Sequence, residues 1–158
     1  MIQIYIDLPD FKRWYSLPIT PEAIVEDIEN PVTRKQFLAQ GTDYEISRYT
    51  IYDVEHTESF YLYQFQHAFE VLQKFDFVPR YIEAFFEFFH VTDVEMLETV
   101  QFYDSREEVV ERIAENLGLM DIRLFNANVY YYLDDELILR DFFDGSYEAR
   151  NDVIFEFI

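Results

Sequence analysis

The chain has 158 residues, half of them hydrophobic and rich in Phe (17) and Tyr (13), which is material for a packed core rather than a disordered chain. Its 32 acidic and 12 basic residues leave a net charge of −20, which excludes nucleic acid and anionic membranes as direct partners and points to a basic one. With no Cys, disulfides, thiol chemistry and Cys-held zinc are out; the opening MIQIYIDLPDF lacks a signal-peptide pattern and no apolar run nears the roughly 18 residues of a membrane span, so a cytoplasmic protein is expected.

Residues 2–6 (IQIYI) read as an edge or central strand, followed by a polar connection, Trp14 and SLPIT. Thr20 as N-cap and Pro21 at the first helical position predict a helix that carries Ile24 and Ile28 on one face and Glu22, Glu26 and Glu29 largely on the other. Asn30 and Pro31 should end it, with a second short helix over 33–39 and a break at Gly41. Residues 44–54 (YEISRYTIYDV) are β-rich, but their alternation is imperfect, which predicts a bulge or bend.

From residue 60 to 75 the apolar spacing is helical with a broad buried face. Residues 76–79 interrupt it, and 80–89 form a second helix bearing Tyr81, Ile82, Phe85, Phe86 and Phe89. A third short helix starts at Thr92, with Glu95 completing a capping box. Residues 99–103 (TVQFY) alternate like a strand. Ser105 and Glu108 form another capping box, opening a helix that stops at Gly118 and buries Val109, Val110, Ile113 and Leu117. Residues 121–125 alternate again. Residues 129–140 are ambiguous, with Tyr130, Leu133 and Leu137 favouring a helix; Gly145 marks a turn and 153–157 (VIFEF) a last strand. The expected fold is α+β: a lobe at each end mixing helix and strand (1–57 and 100–158) and an all-helical middle (58–99).

Enzyme signatures are weak. His56, His67 and His90 lie far apart with no ligand spacing, the three glycines are isolated, and Ser59 and Ser105 read as helix caps, so neither a catalytic site nor a cofactor or metal is expected. With 32 acids, some carboxylate pair always satisfies a glycosidase or metal pattern, so such pairs carry little meaning. Asp134, Asp135 and Glu136 read as a helix start favoured by the dipole or as part of a charged face.

The acids with geometry are more informative. Glu107, Glu111 and Glu115 recur at i, i+4, i+8 opposite an apolar face, one charge per ~6 Å. Like charges at i, i+4 cost a few tenths of a kcal/mol per pair, and a helix needing only solubility would interleave Lys; the plain alternative is a solvated face partly compensated by Arg106 and Arg112. Glu22, Glu26 and Glu29 repeat the theme, as do Glu83 and Glu87. The charge is spread along the chain, with 10 acids against 5 bases in 1–57, 8 against 2 in 58–99 and 14 against 5 in 100–158, which paints a folded body rather than a tail. A globule of this length is roughly 40 Å across, and ~34 Å of duplex carries as many charges as the protein's net −20. The three lysines fit a salt-adapted surface, but the bulky Phe and Tyr content does not.

The order of these segments resembles the ArdA antirestriction proteins, DNA mimics carried by mobile elements. The similarity lies in IQIYI, Trp14 with Leu17-Pro18 and an acidic helix, GTDYEISRYTIYDVE (41–55), FQHAFEVLQKF (65–75), FFHVTDVEMLETVQFYDSREEVVERIAENLG (88–118) and YYLDDELILRDFFDGSYEARNDVIFEFI (131–158). The resemblance implies three small lobes in an elongated, curved body, a homodimer, and occupation of the DNA groove of a type I restriction–modification enzyme in the bacterial cytoplasm. The expected partner-contacting carboxylates are Glu107, Glu111, Glu115, Asp134, Asp135 and Glu136, extended by Glu22, Glu26, Asp43 and Glu45. Three alternatives remain: the same mimicry aimed at a CRISPR effector, a carboxylate-based, metal-dependent hydrolase, and a protein-interaction module that binds through its aromatics with incidental acidity.

Overall fold

A computed structural model describes residues 1–124, 127–128, 134–143, 145–150 and 153–158. Tyr130 and Leu133, two of the residues that favoured a helix over 129–140, lie outside the described residues, as does Phe125 at the end of the fourth alternating segment. The protein is α+β and divides into two compact units, Met1–Glu95 and Met96–Ile158.

The first unit opens with strands β1 (Ile2–Leu8) and β2 (Phe11–Ser16), an antiparallel hairpin in which Tyr5 pairs with Trp14. The polar connection expected before Trp14 is thus the end of β1, a turn at Pro9 and Asp10, and the start of β2. Helix α1 (Pro21–Val25) starts as expected, with the Ala23 N–H donating to Thr20 Oγ1 and Pro21 in the first turn. It is shorter than expected, and Ile24 and Ile28 are nevertheless both buried, because the chain turns back at Asp27. Asn30 does not simply end that helix: its side chain accepts from Val32 and Thr33 and caps α2 (Pro31–Gln40), which stops at Gly41, φ +55°.

The imperfect alternation over 44–54 resolves into three short strands, β3 (Glu45–Ile46), β4 (Tyr49–Ile51) and β5 (Val54–His56). Tyr52 and Asp53 both have positive φ, the signature of a tight two-residue hairpin turn between β4 and β5. The main sheet runs β2-β1-β4-β5, while β3 pairs with β6 (Phe60–Tyr61). Ile2, Ile4 and Ile6 with Tyr49 and Ile51 line its inner face. Helix α3 (Leu62–Gln73) delivers Phe65 to that face, 4.7 Å from the Tyr49 ring in an edge-on contact. Each fully buried side chain of this size contributes about 1.5–3 kcal/mol.

Helix α4 (Pro79–Phe88) buries the expected Ile82, Phe85 and Phe86 and also Ala84, while Tyr81 and Phe89 are only partly buried. The third helical segment is a 3-10 stretch, Val91–Thr99. Its capping bond is displaced from the expected Thr92–Glu95 pair: Asp93 accepts from the His90 N–H at 2.8 Å, and Glu95 turns instead to His67.

The second unit holds β7 (Val100–Tyr103), helix α5 (Arg106–Asn116), the short hairpin β8 (Arg123–Leu124) and β9 (Ala127–Asn128), helix α6 (Asp135–Phe143), β10 (Tyr147–Glu148) and β11 (Ile154–Phe157). Its sheet runs β10-β11-β7, all antiparallel. Tyr103, Val109, Val110, Leu139 and Ile154 form the core. At the end of α5 the Leu119 N–H reaches Ala114 O and the Gly118 N–H reaches Glu115 O, a double closure that requires the left-handed φ of +71° at Gly118. Leu117 lies past the last buried turn and is exposed, Ile113 is only partly buried, and Ala114, which the spacing does not single out, is buried instead.

Among the described residues, no helix is long and apolar enough to cross a membrane.

Candidate functional site

Among the described residues Thr33 is the one polar side chain that is buried; every described carboxylate reaches solvent to some degree. The charge therefore sits on the surfaces of both units. The question is which carboxylates are neutralised by a neighbouring cation.

In helix α5 the answer follows from helix geometry. Val109, Val110 and Ala114 are driven into the core, so residues 107, 111 and 115 point outward, and all three are exposed. The start of α5 is secured by the Glu108 N–H donating to Ser105 Oγ at 3.1 Å. The returning arm of the expected capping box goes one residue further, from the Asp104 N–H to Glu108 Oε2 at 2.7 Å. Of the two arginines that could compensate the stripe, Arg106 is turned to Glu148 of β10, at 2.7 and 3.3 Å, with its guanidinium over the Phe143 ring. Arg112 reaches Glu115 only at 3.9 Å, an exposed contact worth little. Glu107 and Glu111 have no cation within ion-pair distance among the described residues. No basic side chain stands in the last turn of α5, where the dipole would favour one.

One flank of α5 borders a shallow concavity of about 330 Å³ lined by Glu108, Glu111, Arg112 and Glu115 with Gln101 and Tyr103. The Tyr103 hydroxyl donates to Glu156 at 3.1 Å and is pushed up to about 12, first by burial and then by the Glu156 charge, so it stays neutral. In α6 the Asp134 carboxylate accepts from the Glu136 N–H at 3.0 Å. Asp134 thereby caps the helix, with Asp135 and Glu136 in its first turn and Arg140 in its last, an arrangement the dipole favours. These three acids are exposed charges with a structural task at the helix start.

In the first unit Asp43 and Glu45 are brought together with Asp7 around a second concavity of about 410 Å³, walled by Tyr44 and Tyr61. The sequence did not single out Asp7, which reaches that rim through the register of β1; it also meets Lys12 across the hairpin at 3.5 Å. Glu22 lies in the first turn of α1 and Glu26 at its end, both exposed and without an ionic partner among the described residues, and neither lines the Asp43–Glu45 rim. Arg34, near Glu26, is directed to backbone instead, donating to Ile28 O and to Glu26 O.

Two further arginines of this unit are held in place. Arg48 pairs with Glu55 and lies 5.1 and 5.3 Å from the Tyr5 and Trp14 rings. Arg13 pairs with Asp27 at 3.4 Å, and Asp27 also accepts from the Tyr15 hydroxyl at 2.7 Å. The histidines have structural partners: His56 stacks on Tyr49, His67 meets Glu95 at 3.1 Å, and His90 meets Glu58 beside Phe60. Burial holds His56 below its ordinary value, with Glu58 opposing. Among the described residues no three of His, Asp or Glu gather closely enough to hold a metal ion.

In comparisons with known proteins, no family model and no curated sequence matches the chain.

Proposed function

We propose that this protein is a DNA mimic of the ArdA kind, an inhibitor that enters the basic groove of a type I restriction–modification enzyme and excludes DNA. In this reading it is not an enzyme and needs no cofactor. The carboxylates stand in for phosphates and pair with the Lys and Arg that otherwise grip the nucleic-acid backbone. The observation that carries the reading is the outward stripe of α5: Glu107 and Glu111 lack counter-ions among the described residues although Arg106 and Arg112 are close in sequence. Such a stripe raises self-repulsion with no gain in stability, which makes sense if a cationic partner supplies the missing charge.

The magnitudes restrict the mechanism. At ~6 Å per charge the stripe has about half the charge density of one DNA strand, which carries a phosphate every ~3.4 Å. The flanking acids Asp104 and Glu108 and the Asp134–Glu136 cluster of the same unit must therefore take part, with the Asp7–Asp43–Glu45 rim as a separate patch of the first unit, so single substitutions should matter little. The resemblance further suggests an elongated, three-lobed homodimer acting in the bacterial cytoplasm.

The test is a competition assay. Purified protein should block DNA binding by a type I methyltransferase, and the block should weaken steeply between about 0.05 and 0.2 M salt. Glu107→Lys, Glu111→Lys and Glu115→Lys combined should lower affinity by at least about 100-fold while the circular dichroism spectrum is retained, since close charge pairs couple strongly across interfaces. Full inhibition by that triple variant would end the mimicry reading. The same assay against a CRISPR effector decides between the two kinds of basic channel. A hydrolase would need a carboxylate desolvated in a cleft; the exposure of the described acids weighs against it.

A further inference from the structure

We propose that the cleft between α1 and α3 receives a basic amphipathic helix of the partner, giving the interface an apolar anchor beside its charge pairs. The identity of the partner rests on the mimicry reading; the chemistry of the cleft does not. The cleft encloses about 670 Å³ within the first unit, between the segment from Leu17 to Ala23 and the face of α3 made by Gln66, Phe69, Glu70 and Gln73. Those four positions are spaced i, i+3, i+4, i+7, so they form one stripe about 10 Å long, two turns of a docked helix.

Phe69 and Leu17 are 8% and 7% exposed and form an apolar floor, while Ala23 and Gln73 stand open on opposite walls. The walls are tied together by the Gln66 side chain, which donates to Ile19 O at 3.1 Å, and the turn into α1 is held by Thr20. The cleft is therefore preformed, which lowers the cost of occupying it. Its charged lining group is Glu70, exposed and without an ionic partner among the described residues, and Glu22 is the chain neighbour of Ala23. An apolar floor beside the Glu70 carboxylate complements apolar side chains flanked by Lys or Arg. Imitation of phosphates alone gives such a cleft no role.

Two measurements test this. First, an amphipathic Leu/Lys model helix is titrated into the protein and followed by backbone amide NMR, with oligolysine of equal charge as control. Saturable shifts confined to residues 17–23 and 66–73 with the Leu/Lys helix, and absent with oligolysine, are expected; their absence overturns the proposal. Second, Ala23→Trp and Gln73→Trp, which fill the cleft from either wall, are compared with the unaltered protein against the type I methyltransferase over a range of salt. Each should weaken binding about tenfold at every salt concentration with the salt slope unchanged. Affinities within twofold of the unaltered protein would remove the cleft from the interface. Should the model helix bind the cleft while the methyltransferase is not bound at all, the cleft stands and the choice of target falls.

Discussion

The outer face of the first sheet and the outer face of α5 treat charge in opposite ways. On the sheet, Asp7 meets Lys12, Glu55 meets Arg48, and Arg48 is further held against Tyr5 and Trp14. On α5, Glu107 and Glu111 have no cationic partner among the described residues, and Arg106, the chain neighbour of Glu107, is drawn to Glu148. The sheet is an open surface whose half-buried aromatic rings need polar cover, so a cation there helps hold the fold. Helix α5 is already secured by its apolar face, its Ser105 cap and its Gly118 stop, so its outer face is free to carry charge that serves something other than folding.

The largest expected effect sharpens this contrast. The triple reversal on α5 should abolish inhibition and leave the fold, whereas Arg48→Ala should lower the melting temperature and leave inhibition within about twofold, the usual scale for a charge away from the contact. If Arg48→Ala instead relieved inhibition while the triple variant did not, the two faces would have exchanged roles. Ser105→Ala should cost about 1 kcal/mol by removing the cap of α5, read as a loss in urea midpoint with unchanged slope. Glu111→Lys should do the reverse, since it replaces two repulsive i, i+4 pairs with two attractive ones; a gain somewhat under ~1 kcal/mol is expected in the same denaturation experiment. A loss of stability there would mean that the stripe has cationic neighbours.

The smallest effect concerns His56. Burial depresses its folded-state proton affinity, so the unfolded chain binds the proton first as the solution is acidified. Its contribution to stability is thus present above about pH 6.5, the ordinary imidazole value, and declines below it. Between pH 7.5 and 5.5 the unaltered protein should lose more melting temperature than His56→Phe, which keeps a ring against Tyr49 but does not titrate. Equal losses would place the acid sensitivity in other groups.

Local signals are legible in the sequence where a few neighbouring residues decide the outcome. Thr20 with Pro21, Ser105 with the Glu108 N–H, and Gly118 each set a helix end through bonds spanning at most five residues. The strand β2 was not legible, because as an edge strand it has no fully buried position and so no period of two to detect. Leu117 is exposed although the helical spacing includes it, because that spacing continues past the point where α5 leaves its core. The three strands over 44–56 were legible only as a disturbance of pattern, since the turn that separates β4 from β5 uses Tyr52 and Asp53 in place of the Gly or Asn that would announce it.

The sign and size of the surface charge, the apolar stock for the core, and the outward direction of Glu107, Glu111 and Glu115 were determined by the sequence, because composition and helical period require no knowledge of distant neighbours. Which carboxylates are quenched was decided by the tertiary structure. Arg106 and Glu148 lie 42 positions apart, and Arg13 and Asp27 meet only once α1 has turned back toward β2. An ion pair exists only within a few ångströms, and sequence distance says nothing about that until the chain has folded.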